Sequence, residues 1–289
     1  MKKITAADNI CIVDDGYFEK TVSSIISAGK EKLHVLADFD RTLTRAFVDG
    51  NKIPSLISLL RSNNCLGADY STRSYAHYDK YSGYENNSNL TREQRAEKMQ
   101  EWWDAAHGLM IECGLTKNVM DEVMAKRQMK LRVGAKQFID RLAENLIPLV
   151  ILSAGPAYMI QKFFELEGCM SKNIDIIANW YEYDEKGRMI GTKEPLIHTS
   201  NKYEITVDNF PAYEAIKKRK NVLLLGDTID DVGMIEGFDY DNLLKIGFLC
   251  EDVENQLPKY KQYFDMIILN DGPIDPLNQL LDNITKKAP

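Results

Sequence analysis

Apolar runs of four to seven residues recur along the chain, each short enough for a buried strand and most followed by polar residues and then helical spacing. The first is Leu33, Val35, Leu36 and Ala37, which gives way abruptly to Asp38. PLVIL (148–152), IDIIANW (174–180), NVLLL (221–225), LLKIGFL (243–249) and FDMIIL (264–269) follow. Helical periodicity falls between them at about 17–28, with Asp14 or Asp15 as cap, and at about 135–144, 157–167 and 211–218. Strands buried on both faces read as near-continuous apolar runs, and their alternation with helices predicts βαβ units with right-handed crossovers in a parallel sheet. DEKG at 184–187 predicts a hairpin joining 180–183 to 188–190. The N-terminal stretch with Ile4, Ile10, Ile12 and Phe18 is expected to pack beside the first strand.

The pattern changes between the first strand and the second. Residues 46–125 are rich in aromatic and polar positions with helical spacing, and Thr91 with Gln94 reads as a capping box opening a helix through Trp102 and Trp103. A further helix is expected over about 116–127. The fold class expected is therefore α/β, a doubly wound parallel sheet, with a mainly helical segment inserted after its first strand.

Composition adds mostly exclusions. At 289 residues, with 44% hydrophobic and 27% charged positions, the chain can bury a sizeable core and holds no apolar run long enough for a membrane helix. Net charge is −7 with no basic cluster, which argues against a nucleic-acid polymer as partner but permits a small phosphorylated ligand. Cys11, Cys65, Cys113, Cys169 and Cys250 are scattered and never in CxxC spacing, so neither a zinc site nor a disulfide framework is expected. With no visible targeting signal, a cytoplasmic monomer is expected.

Three predicted strands end in residues suited to phosphate chemistry. The first ends in Asp38, Asp40 and Thr42, and ligands of open α/β sheets bind outside such strand ends. PLVIL ends in Ser153, Ala154, Gly155 and Pro156, a hydroxyl and exposed amides ahead of a helix, which suit an anion. NVLLL ends in GDTIDD, with Asp227, Asp230 and Asp231. Each is equally readable alone as a polar turn capping a helix. Together they bring several carboxylates to one sheet edge, where repulsion demands a cation, and an all-oxygen set favours Mg²⁺.

DFDRTLT, Ser153, a downstream lysine and the GDxxxD of Gly226, Asp227 and Asp231 resemble, in order and spacing, the four motifs of the haloacid dehalogenase superfamily. ADFDRTLT, the block containing EWWDAAHGL, LSAGP, IHTSNK and LLLGDTIDD are similar to the cytosolic pyrimidine 5′-nucleotidases (the cytosolic 5′-nucleotidase III family). The resemblance implies a Rossmann-like phosphatase core (1–45 plus 126–289) with a substrate-reading helical cap (46–125). It implies Mg²⁺-dependent hydrolysis of nucleoside 5′-monophosphates, pyrimidine ones such as UMP and CMP, to nucleoside and phosphate.

Residue roles follow from the same resemblance. Asp38 would attack phosphorus and form an aspartyl-phosphate, while Asp40 would protonate the leaving oxygen and then activate water. Lys202 and Ser153 would hold the phosphoryl oxygens, helped by Thr42, Ala154 and Gly155. Asp38, Asp227 and the backbone carbonyl of Asp40 would bind the metal, with Asp231 or Asp230 orienting its waters. Glu85, in what reads as a polar loop, aligns with a base-reading glutamate. Tyr84, Trp102, Trp103 and His107 offer a stacking surface, with at most one of the adjacent tryptophans expected to face the ligand. Ala106 stands where the family has a serine touching the nucleotide.

Two other readings stay open. One is a phosphatase of the same superfamily for a non-nucleotide such as phosphoserine. The other is a phospho-acceptor or nucleotide-binding module without turnover, against which Asp40 and Lys202 argue, because mere binding needs no acid and base two residues from the nucleophile.

Overall fold

The computed structural model describes residues 9–85, 87, 89–203 and 210–285. Ile4 and the residues read for a targeting signal lie outside them. In chain order the elements begin with β1 (Ile10–Ile12), α1 (Asp15–Ala28) and β2 (Leu33–Ala37). The intervening segment holds the small hairpin β3 (Phe47–Val48) and β4 (Asn51–Lys52), then α2 (Ser58–Ser62), α3 (Ala68–Glu85), α4 (Arg92–Glu112) and α5 (Lys117–Ala125). Alternation resumes with α6 (Ala135–Glu144), β5 (Leu149–Pro156), α7 (Ala157–Leu166), β6 (Ile174–Asn179) and the hairpin β7 (Tyr181–Tyr183) and β8 (Met189–Thr192). The chain then runs through α8 (Ala212–Ile216), β9 (Asn221–Gly226), β10 (Asn242–Leu249), α9 (Val253–Tyr260), β11 (Met266–Leu269) and α10 (Asp275–Thr285).

The main sheet has the order β1-β11-β10-β9-β2-β5-β6, parallel except for β1. The fold class is thus the expected α/β one. β2 is flanked by β9 and β5, so the strand order reverses there, and a crevice opens at the strands' C-terminal ends. Its five residues are all buried. Val35 belongs to the core shared with α1, α6, α7 and α10, whereas Leu36 points into the layer containing Ala212 and Ile216 of α8. This alternation across the pleat is why the run is apolar throughout.

The N-terminal segment packs beside the first strand through α1, whose Phe18, Val22 and Ile25 share a core with Leu33 and Val35 as α1 lies against β10 and α10. Ile10–Ile12 do not, forming instead an antiparallel edge strand on β11. Asp14 caps α1 by accepting from the Tyr17 amide. The Thr91–Gln94 capping box is present at the start of α4, and the DEKG hairpin is present as β7–β8.

The inserted segment leaves and rejoins the core beside a single bridge between Thr44 and Leu131. Behind that junction lies Arg132, one of the largest fully buried side chains. Its Nε donates to Thr42 O at 2.7 Å, Nη1 to Gly272 O at 2.9 Å, and Nη2 to the carbonyls of Arg41 and Thr44. Asp271 balances the charge at 3.1 Å and accepts from the Ala46 and Phe47 amides. The loop after β2 is thereby tied to the turn after β11.

Candidate active site

β2 and β9 run in register, Ala37 opposite Leu225, and the Asp38 amide continues the ladder by donating to Leu225 O at 2.9 Å. Asp38 and Asp227 are thus presented side by side. Gly226 is required between them and the helical turn that follows, because a Cβ there would lie 2.4 Å from Cβ of Asp231. Carboxylate oxygens of Asp38, Asp227 and Asp231 all lie within 4.8 Å of one another.

Lys202 sits among them, buried, donating to Asp38 Oδ1 at 2.5 Å and to Asp231 Oδ1 at 2.6 Å. Burial alone would lower its pKa, but Asp231 and Asp38 more than reverse that and keep the ammonium protonated. The irregular segment that carries it is fixed by amide side chains. Asn179 bridges Ala154 O and the backbone of Ile197, while Asn201 accepts from His198 N and donates to Leu196 O.

Asp231 has both oxygens engaged. Oδ1 takes Lys202, and Oδ2 accepts from the amides of Asp227 and Thr228 and from the Thr228 hydroxyl, at 2.8 to 3.1 Å. It holds the loop and the lysine rather than presenting a free ligand atom. Asp227 is raised far above the usual carboxylate range by burial and by the charges of Asp38 and Asp231. Asp38 is raised by burial too, with Lys202 pulling the other way. A cluster of carboxylates destabilised by its own charge, all oxygen and without His or Cys, fits a hard divalent cation. Asp38 and Asp227 are the side chains free to hold it.

Asp40 points elsewhere. The Leu56 amide, just beyond the β3–β4 hairpin, donates to its two oxygens at 3.0 and 3.2 Å. Burial pushes its pKa up to about 6 against that hydrogen bond and the charges of Arg41 and Lys202. Arg41, immediately after Asp40, adopts φ 58°, a left-handed conformation that a non-glycine residue rarely takes and that marks a tightly determined loop.

A cavity of about 700 Å³ opens over these residues, lined on the far side by α2, α3 and α4. A hollow of similar volume on the surface beside α6, around Lys130 and Lys136, gathers none of this chemistry. Ser153, Ala154, Gly155, Glu85, Trp102, Trp103 and Ala106 all line the active-site cavity. The Ser153 hydroxyl is buried and accepts from Gly155 N at 3.1 Å.

Four placements differ from what the sequence suggests. Glu85 is the half-buried last residue of α3, not a loop residue, and burial raises its pKa while the nearby Thr199 hydroxyl and the charge of Arg41 oppose the shift. Both tryptophans reach the cavity wall, since Trp102 stacks on Tyr81 with centroids 6.1 Å apart while Trp103 donates to Ala154 O at 3.3 Å. His107 does not line the cavity; its ring nitrogens meet Thr192 Oγ1 at 3.1 Å and Tyr181 Oη at 3.5 Å on the β7–β8 hairpin. Thr42 is fully buried, its hydroxyl unpartnered among the described residues, and it too lies away from the cavity lining.

Several contributors carry no sequence signal. Tyr260 Oη donates to Asp227 O at 2.5 Å and fixes the loop after β9 from α9. From the start of α4, Arg95 pairs with Asp230 at 3.2 Å and Arg92 with Glu236 at 3.0 Å, with Arg92 also over the ring of Tyr203. These contacts join the insertion to the loop that bears Asp227 and Asp231.

The profile of the family described as pyrimidine 5′-nucleotidase (UMPH-1) matches residues 41–285. The chain is 31% identical over 270 residues to a 7-methylguanosine phosphate-specific 5′-nucleotidase of Homo sapiens, spanning 93% of this chain and 90% of that one. It is 30% identical over 285 residues to a counterpart of Xenopus laevis, spanning 98% of each. The solved structure of cytosolic 5′-nucleotidase IIIB bound to cytidine superposes with a TM-score of 0.89 at 24% identity, over 96% of this chain and 94% of that one. A phospho-aspartyl intermediate analogue of phosphoserine phosphatase gives 0.51 at 19% identity, over 88% and 98%. At these identities the two structures bear on the fold alone.

Proposed function

Because the chain belongs to the pyrimidine 5′-nucleotidase family, and is therefore a phosphomonoester hydrolase acting on nucleotides, we propose that it converts pyrimidine nucleoside 5′-monophosphates, UMP and CMP, to nucleoside and phosphate. The observation that carries this reading is the buried Lys202 held between Asp38 and Asp231 with Asp227 alongside. A lysine so placed holds phosphoryl oxygens against a carboxylate nucleophile.

Asp38 attacks the phosphorus and the ester bond to the nucleoside oxygen breaks, leaving an aspartyl-phosphate. Asp40, whose environment favours its protonated form up to about pH 6, gives its proton to the departing oxygen and in the second step takes one from water. Ser153 and the amides of the Ala154–Gly155 turn receive the remaining phosphoryl oxygens. Mg²⁺, held by Asp38, Asp227 and the Asp40 carbonyl, would neutralise phosphate charge and permit close approach of the two anions. The insertion acts as cap and closes the cavity over the nucleoside. All five cysteines are free thiols, which suits a cytosolic setting.

A second reading for the base comes from the curated relatives, which are named for 7-methylguanosine phosphate. The aromatic wall of Tyr78, Trp102 and Trp103 favours it as well as a pyrimidine, since both stack. Phosphate release from UMP, CMP, AMP, 7-methylguanosine 5′-monophosphate and phosphoserine, with Mg²⁺ and with EDTA, tests the proposal. Release from UMP and CMP that EDTA abolishes is expected. Turnover of phosphoserine above every nucleotide would overturn it.

A further inference from the structure

The cavity wall has two differently built parts. Asp38, Asp40, Asp227, Glu85 and Lys202 stand in one. In the other, Arg61 of α2 enters the wall beside Ser58, Tyr70, Ser74 and Tyr78. Its half-buried guanidinium carbon lies 4.6 Å from the ring centroid of Tyr78 and 5.3 Å from that of Tyr75. Among the described residues the guanidinium has no carboxylate at ion-pair distance and no hydrogen bond, so its donors are free for a ligand.

The neighbourhoods separate the two parts. Burial lowers the pKa of Arg61, and the groups that oppose the shift, Tyr75, Tyr70, Tyr78 and Asp79, all belong to α3. Glu85 instead feels Thr199, Arg41, Asp230 and Lys202, which belong to the catalytic part. The chain's own Arg61 therefore already engages the ring of Tyr78, one of the aromatic side chains on the cavity wall.

We propose that Arg61 sets base choice: the cavity takes a neutral base that offers a carbonyl oxygen to the guanidinium, and excludes the cationic 7-methylguanine base. This rests on the nucleotidase reading and sharpens it. Arginine pairs readily with the acceptor edge of guanine, and uracil likewise presents carbonyl oxygens. Methylation at N7 removes an acceptor and adds a positive charge, which Arg61 then repels.

The test compares kcat/KM for UMP, GMP and 7-methylguanosine 5′-monophosphate at pH 6, where the methylated base carries its charge, in the wild-type enzyme and in Arg61→Gln and Arg61→Lys. In the wild type, the methylated nucleotide is expected at least tenfold below the better of the two neutral ones. Arg61→Gln should narrow that gap to about threefold, chiefly through KM, and Arg61→Lys should retain it. A wild-type enzyme that turns over the methylated nucleotide as well as the neutral ones overturns the proposal, as does an Arg61→Gln variant with the original ratio. Dissociation constants for the same nucleotides with Asp38→Asn, by calorimetry, read base choice without turnover. If no nucleotide is hydrolysed the nucleotidase reading fails, and a tenfold binding preference for the neutral bases in Asp38→Asn, lost with Arg61→Gln, still decides the role of Arg61.

Discussion

Asp231 and Lys202 hold each other in place at 2.6 Å, both buried, and the second oxygen of Asp231 closes the turn after β9 through the amides of Asp227 and Thr228. One carboxylate therefore fixes Lys202 and the loop that carries Asp227 together. Asp231→Asn is expected to lower stability by about 1 to 3 kcal/mol, because an amide cannot accept on both sides and leaves either Lys202 or the amides of Asp227 and Thr228 without their acceptor. Urea unfolding measures that loss, and kcat and the Mg²⁺ concentration for half-maximal activity should worsen together.

Asp40→Asn removes the proton donor while leaving Asp38 and Lys202 in contact. A fall in kcat for UMP of about 10²- to 10⁴-fold is expected. With p-nitrophenyl phosphate, whose leaving group needs no proton, rapid mixing should show a burst of nitrophenolate followed by a stall, since the second step still lacks its base. For the wild type, the acid must be protonated and its pKa is raised to about 6, so kcat/KM should decline as pH rises above that value. A variant whose steady rate with UMP equals the wild type's refutes the role.

Arg132→Met leaves the buried Asp271 with only the longer pair to Arg45, at 3.8 Å, and frees four carbonyls, three in the loop after β2 and that of Gly272. A loss of about 3 to 5 kcal/mol is expected from urea unfolding. Pairing it with Asp271→Asn should recover part of the loss, because the double variant strands no charge. Simple additivity would show that the two act independently.

Three buried histidines, His34, His107 and His198, have pKa values lowered to about 4 by burial, from 6.5. Between pH 6.5 and 4 the unfolded chain binds these protons and the folded chain does not. Stability contributed by the neutral rings is thus complete above pH 6.5 and is lost as pH falls toward 4. The urea midpoint should drop across that window, and His34→Gln should flatten the drop. His34 is the best probe because it lies in β2, with Nδ1 2.6 Å from Arg219 O.

The central strands were readable because burial on both faces leaves no room for polar residues, as in β2 and β9. β1 was not, since three half-buried residues at a sheet edge carry no such constraint. The aspartates at the ends of β2 and β9 announced themselves because carboxylates rarely follow apolar runs so closely in two places. Inside the insertion, local pattern misled. Trp102 and Trp103 both reach the cavity because one stacks within α3–α4 and the other extends to Ala154 on the core. The fate of His107 was decided by a hairpin some eighty residues downstream, and that of Arg132 by carbonyls distant in sequence. Neither leaves a mark in its own neighbourhood.

On the proposed cap function, the grip of α4 on the loop after β9 would set how long the nucleoside product stays. Arg92–Glu236 and Arg95–Asp230 lie at the rim, where pairs are worth about 0 to 1 kcal/mol each. Two such clasps slow escape only several-fold, and ions in the medium compete for both. Dwell time of the leaving nucleoside, rather than bond breaking, is then the quantity that salt should shorten.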